Sequence, residues 1–203
     1  MAGSPDLSVL SGSSVEVAPL LLGATLRHGD VALRLTEVEA YAGPLDPGSH
    51  AYRGRTPRTE VMFGPAGFLY CYFVYGMHVC ANVVTGPEGE AGAVLLRAGE
   101  VLGDDKGHDD QGHGDNGRDD RGHPARGPAR LCRTLGITLA EDGTDLRAGP
   151  VTLELADPVP AASVSTGPRV GLRQAPDVPW RFWLTGEPSV SAYRPAAPRR
   201  PRG

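Results

Sequence analysis

Residues 24–41 read ATLRHGDVALRLTEVEAY, and this stretch decides the fold. Apolar residues alternate with polar ones on both sides of His28-Gly29-Asp30, the pattern of two strands joined by a tight turn. Side chains alternate along a strand, so Glu37, Glu39 and Tyr41 share one face and Val38 and Ala40 the other. The apolar face fits a core, which leaves the carboxylates to a cleft or to water. An ordinary solvated strand face accounts for the same pattern. Glu37 and Glu39 would stand roughly 6.6 Å apart along the backbone. That is near the spacing of an inverting glycosidase pair, so hydrolysis of a sugar bond is compatible with it.

Outward from this hairpin, Phe68–Tyr75 and Val79–Thr85 are β-type runs rich in aromatics and valine, separated by Gly76-Met77-His78. They predict a hairpin or a tight corner. Ala93–Leu102 is a third strand, and Val151–Ala156 and Arg181–Thr185 are later ones. One short helix is expected from Ser14, with Val15, Val17, Ala18, Leu21 and Leu22 on its apolar side. Another spans Pro128–Leu135, with proline near its first position and Gly136 at its C-cap. Hairpins with two peripheral helices and no βαβ alternation indicate a single α+β domain over residues 14–194. Residues 1–13 and 195–203 read as flexible tails. The insert 103–123 has too few apolar residues to order itself. Between Gly43 and Gly67, prolines, glycines and arginines mark a long surface loop of the kind that carries function on a rigid scaffold.

Composition narrows the chemistry. At 203 residues, 40% hydrophobic and 22% charged, the chain suits one domain with a substantial core. It has no apolar run of membrane-spanning length and no signal-peptide pattern at Met1–Pro5, so a cytoplasmic location without membrane partners is expected. Three cysteines without a C-x-x-C fit neither a disulfide framework nor a zinc ribbon. The net charge of −4 resides in the insert, whose seven aspartates outweigh Lys106, Arg118 and Arg121; the rest of the chain is neutral. Lys106 is the one lysine, and in a solvated acidic stretch it is ill suited to Schiff-base chemistry. His108, His113 and His123 alternate with aspartates but have no fixed geometry around them, so no metal site is expected.

Two further groups stand out. Tyr70, Tyr72 and Tyr75 crowd into six residues, with Tyr70 and Tyr72 on one face. Cross-strand packing would use such rings, and so would a wet pocket rim that keeps the hydroxyls hydrogen-bonded. His50 lies in the Gly/Pro loop, where a lone histidine is commonly solvated.

The segments EVEAYAGPLDPGSHAYRGRTPR, MFGPAGFLYCYFVYGMHVCANVV and AVLLRAGE, with later echoes in GPARLCRTLGI, PRVGL and WRFWLTGEPSVS, resemble the alkyladenine (3-methyladenine) DNA glycosylase family. The likeness covers most of the chain from Pro19 to Tyr193. It implies a curved, mostly antiparallel sheet and a protruding hairpin that enters the DNA minor groove. It implies Glu39 as the general base that activates water, helped by Arg97 and the backbone carbonyl of Val170. Tyr41 and Tyr72 would sandwich the extruded base, His50 would form a third wall, and Asn82 would obstruct the 2-amino group of guanine. Tyr75 would fill the gap left in the duplex, with Met77 beside it. Because the chain lacks strong basic charge, Arg53, Arg55 and Arg58, with the C-terminal arginines, are expected to supply most phosphate contacts.

These roles suit the chemistry. A base must leave the stack before an enzyme can act on it, a side-chain wedge supports the opened step, and tyrosine stacking is worth about 1–3 kcal/mol per base. The resemblance thus implies a monofunctional glycosylase, without cofactor, acting as a monomer on double-stranded DNA containing alkylated or deaminated purines. A damage-binding protein without catalysis and a nucleosidase are the alternatives. Thr59 and Gly48 depart from the family's usual asparagine and alanine, predicting a lost loop hydrogen bond and a looser loop around His50.

Overall fold

The computed structural model describes residues 6–74, 76–103 and 123–197. Tyr75 lies outside the described residues, as does the acidic insert apart from its end residues Gly103 and His123. Among the described residues eight strands form one antiparallel sheet: β1 (Thr25–His28), β2 (Val31–Tyr41), β3 (Leu69–Val74), β4 (His78–Val84), β5 (Ala93–Leu102), β6 (Val151–Glu154), β7 (Val164–Gly167) and β8 (Arg181–Leu184). The order is β3-β4-β5-β2-β1-β6, and β8 pairs with β2 and β7. With two short helices, α1 (Ser14–Val17) and α2 (Pro128–Leu135), this is an α+β fold. No helix among the described residues is long and apolar enough to cross a membrane.

The central strand is β2. One edge pairs with β5 along most of its length; the other pairs first with β1 and then, at Glu37–Glu39, with β8. Gly29 supplies the positive φ of 57° that turns β1 into β2. Two irregularities shape the middle of the sheet. Leu35 faces Gly99, Glu37 faces Ala98 and Val38 faces Leu96, so Thr36 is an extra residue on β2 and Arg97 an extra residue on β5. The bulge at Thr36 changes the phase of alternation. Leu33 and Leu35 before it, and Val38 and Ala40 after it, all enter the same core. Glu37 and Glu39 therefore leave on the opposite face, where Arg97 meets them.

Helix α2 covers the core with Leu131, Cys132 and Leu135. It stops at Gly136, whose left-handed conformation lets its own N–H reach Arg133 and that of Ile137 reach Cys132. The first helix is shorter than the apolar pattern predicts: after Val17 the chain tightens into a 3₁₀ turn, Ala18–Leu21, around Pro19. The N-terminal tail expectation is corrected from Asp6 onward. Residues Ser8–Ser11 form a 3₁₀ turn, and Leu7 and Leu10 are buried in the core. Burying two leucines is worth about 1.5–3 kcal/mol each, enough to hold this segment down. Strand β7 has no counterpart in the sequence expectation. The long loop before β3 is organised by 3₁₀ turns at Gly43–Leu45, His50–Arg53 and Glu60–Phe63, and by a small apolar cluster of Ala51, Met62, Phe63 and Tyr70 with neighbours.

Candidate active site

Glu37 and Glu39 do not face water: both are 0% exposed. Of the two settings the alternation allows, open water is excluded, because β5, β8 and the segments after β7 and β8 close over this face, bringing cations and amides with them. Glu39 is held at both oxygens. Its Oε1 accepts the Val170 N–H at 2.7 Å and lies 3.4 Å from Nη1 of Arg97. Its Oε2 accepts the Tyr41 hydroxyl at 2.9 Å. Val170 thus anchors Glu39 through its amide, a contact separate from the carbonyl that the resemblance assigns to the attacking water.

Glu37 is bound differently. Arg97 and Arg181 both donate their Nε to its Oε1, at 2.9 and 2.6 Å, and Ser191 donates its N–H and its hydroxyl. A carboxylate with its lone pairs so occupied is not a free partner for Glu39 in a glycosidase-like pair. Arg181 also lies over the Trp183 ring, 4.5 Å from its centroid. The sequence reading missed Arg181 and Ser191.

A cluster of rings adjoins the acid. Tyr70 and Tyr72 stack at 5.5 Å, sharing a face of β3 as the alternation predicts. The His50 ring stands edge-on to Tyr72 at 4.5 Å, with Nδ1 3.2 Å from the Tyr70 hydroxyl. Arg58 lies over Tyr72, 5.5 Å from its centroid. Desolvation against these rings, helped by the Arg58 cation, holds the His50 imidazole down to about 4 although the residue as a whole is exposed. Burial pushes the Tyr41 and Tyr72 phenols up, and the Glu39 charge adds to both. Tyr41, Tyr72 and His50 are therefore neutral at pH 7, around one acid.

An acid anchored this way beside tyrosines suits hydrolysis next to an aromatic leaving group. The comparison with known proteins agrees: a family model described as methylpurine-DNA glycosylase matches residues 8–188. The chain belongs to the methylpurine-DNA glycosylase family. A relative from Nocardia farcinica is 56% identical over 89% of this chain and 87% of its own length. One from Streptomyces avermitilis is 51% identical over 100% of both chains, and one from Mycobacterium tuberculosis is 47% identical over 93% of this chain and 94% of its own. Each of the three bears the name "Putative 3-methyladenine DNA glycosylase". The activity class is that of a DNA glycosylase, a hydrolase of base excision repair.

The remaining site residues of this methylpurine-DNA glycosylase family member fall as follows. Asn82, on β4, is buried and donates its Nδ2 to the Tyr70 carbonyl at 3.0 Å. Met77 is 73% exposed at the β3–β4 turn, with Phe73 exposed on the same hairpin. Arg55 pairs with Glu60 and covers Phe63, whereas Arg58 turns toward the rings.

A second buried pair organises the site. Arg169, just before Val170, donates Nη2 to Asp46 Oδ1 at 2.8 Å and Nη1 to Asp46 Oδ2 and, at 2.9 Å, to the Ala40 carbonyl. Its guanidinium lies over Tyr41 and Trp180, at 4.7 and 5.2 Å. Asp46 accepts the Gly48 N–H at 2.9 Å, fixing the loop that leads to His50. None of Arg169, Asp46 and Trp180 was singled out from sequence. The pair also packs against Gly48: a Cβ there would come within 2.5 Å of Leu172 Cδ2 and 2.9 Å of Arg169 Nη2, so the glycine permits this close approach. Thr59 is buried, and its Oγ1 accepts the Thr56 N–H at 2.9 Å, so this side chain holds the loop itself.

Proposed function

We propose that the protein rotates alkylated or deaminated purine nucleotides out of duplex DNA and hydrolyses their N-glycosidic bond, leaving an abasic site without lyase chemistry. The observation that carries this reading is the buried Glu39 carboxylate, anchored by Val170, Arg97 and Tyr41 among the rings of Tyr72 and His50. The C1′–N bond breaks through an oxocarbenium-like state, and the base leaves with the electron pair. Glu39 stabilises the developing positive charge, takes a proton from water, and the resulting oxygen nucleophile bonds C1′. A purine that is already cationic leaves neutral, and stacking between tyrosines adds a cation–π gain of about 0.5–2 kcal/mol.

In this reading Tyr41, Tyr72 and His50 wall the pocket, Asn82 rejects purines bearing a 2-amino group, and Arg55 and Arg58 meet phosphates. Tyr75 is the wedge, supported by the exposed neighbours Phe73 and Met77 on a hairpin that enters the minor groove. In this reading the enzyme acts in the cytoplasm as a monomer. A lyase step would need an amine, and the single lysine, Lys106, belongs to the acidic insert.

The test is incubation with duplexes carrying 7-methylguanine, 3-methyladenine, hypoxanthine or ethenoadenine, followed by alkali cleavage at abasic sites. Glu39→Gln should lose excision and keep its affinity for a duplex with an abasic-site analogue. Near wild-type excision by Glu39→Gln refutes the assignment. Tyr75→Ala should slow excision from duplex far more than from single strands, where unstacking costs little. Activity confined to free nucleosides would instead make the protein a nucleosidase.

A further inference from the structure

The reaction above gives Glu37 nothing to do, yet Glu37 is fully buried and accepts four hydrogen bonds. The partners explain why. Arg97 donates Nε to Glu37 at 2.9 Å and Nη2 to the Ser191 hydroxyl at 3.2 Å, so Nη1 is the nitrogen turned toward Glu39, at 3.4 Å. Ser191 is in turn fixed to Glu37 through its N–H and hydroxyl, and its carbonyl accepts Arg181 Nη2 at 2.7 Å. A guanidinium left to itself meets a carboxylate as a two-pronged fork. Such a fork on Glu39 would occupy the lone pairs that must receive the proton of water. The bulge that makes Arg97 an extra residue on β5 lies between the pairs Glu37–Ala98 and Val38–Leu96, which puts this arginine within reach of both carboxylates.

We propose that Glu37 is a positioning residue for the glycosylase reaction: with Ser191 it holds Arg97 so that one N–H edge, and not the fork, faces Glu39. Arg181 balances the second negative charge, so two carboxylates and two guanidiniums are buried together. The inference rests on Glu39 being the general base, and Glu39→Gln is measured alongside it.

The experiment measures single-turnover excision of 7-methylguanine from duplex DNA, with affinity for an abasic-analogue duplex measured in parallel. Glu37→Gln should slow excision about 10- to 100-fold, the cost of a small misplacement near the reacting groups, while that affinity stays near wild type. Because Glu37 acts through Arg97, adding Glu37→Gln to Arg97→Gln should cost nothing more. A merely structural role predicts additive losses, or a wild-type rate in a less stable protein; either outcome overturns the proposal. If Glu37→Gln does not fold, Ser191→Ala decides: it frees Nη2 of Arg97, should slow excision in the same direction by a smaller factor, and overturns the proposal at wild-type rate. Should Glu39→Gln excise normally, the reading of the site falls first; should it be inactive while Glu37→Gln excises normally, only this inference falls.

Discussion

The Tyr41 hydroxyl donates to Glu39 Oε2 at 2.9 Å, so one side chain both offers a ring for stacking and orients the acid two residues before it on the same strand. Tyr41→Phe separates the two roles. The ring remains, and binding to a lesion-bearing duplex should stay within about twofold, because stacking needs only the π face. Excision should fall by about tenfold or more, since a hydrogen bond to a charged group is worth about 1.5–3 kcal/mol. Single-turnover rates and binding titrations on the same duplex check the split. Equal losses of binding and rate would mean that the hydroxyl does not act on Glu39.

The buried pair of Arg169 and Asp46 should govern stability more than chemistry. Asp46→Asn leaves the Arg169 charge without its partner, and breaking one side of a buried pair costs about 3–5 kcal/mol. Urea unfolding of the variant checks this. Arg169→Lys should not rescue a site built on two parallel N–H donors, because an ammonium group cannot reproduce the fork. A loss under about 1 kcal/mol in either variant would show the pair to be dispensable.

The parts of the site that came from one strand were legible in the residues themselves; of the groups that close over that strand, Arg97 and Val170 came only through the family resemblance, and Arg181 and Ser191 not at all. The turn at Gly29, the limits of β5 and the capped helix α2 follow from local rules and are found at the predicted residues. The face shared by Glu37, Glu39 and Tyr41 is real, but its burial comes from Arg97, Arg181, Val170 and Ser191, which lie 56 or more positions later in the chain. Two signals carried part of this. Apolar residues occupy odd positions at Leu33 and Leu35 and even ones at Val38 and Ala40, a change of phase that marks the bulge at Thr36. Arg97 directly follows the apolar run Ala93–Leu96, and Arg181 opens the strand RFWL; charges set against such apolar runs are candidates for burial, and buried charges of opposite sign seek one another. Strand β7, VSTG, has too little alternation to be told from a loop.

The depressed His50 imidazole has a kinetic consequence. A ring held down to about 4 is neutral across the working pH range, so it stacks beside a cationic base without repelling it and has no imidazolium proton to give the leaving base. His50→Gln should lower excision of 7-methylguanine by about tenfold through the lost wall. The ratio of wild-type to variant rates should then stay constant from pH 5 to pH 8. Protonation at the ordinary histidine value would instead bend that ratio near pH 6.5. A pH-rate series on both proteins distinguishes the two.

The acidic insert should modulate DNA binding without touching catalysis. It follows β5, whose last residue Leu102 pairs with Ala32, while the partner of Glu39 on that strand is Leu95. Seven residues of strand place the root of the insert about 23 Å along β5 from the acid, beyond a Debye length of about 10 Å at 0.1 M salt. Its net charge of −4 nevertheless equals that of the whole chain, so deleting residues 104–121 leaves a neutral protein. With few apolar residues to contribute to a core, the deletion should not alter the unfolding transition. Single-turnover excision should remain at the wild-type rate. Affinity for duplex DNA should rise severalfold at low salt, and the gain should fade as screening increases toward about 0.2 M. Measuring affinity across that salt range separates a long-range charge effect from a direct contact, which would leave a difference at every salt concentration. A deletion that unfolds the protein or abolishes excision would place the insert within the working structure.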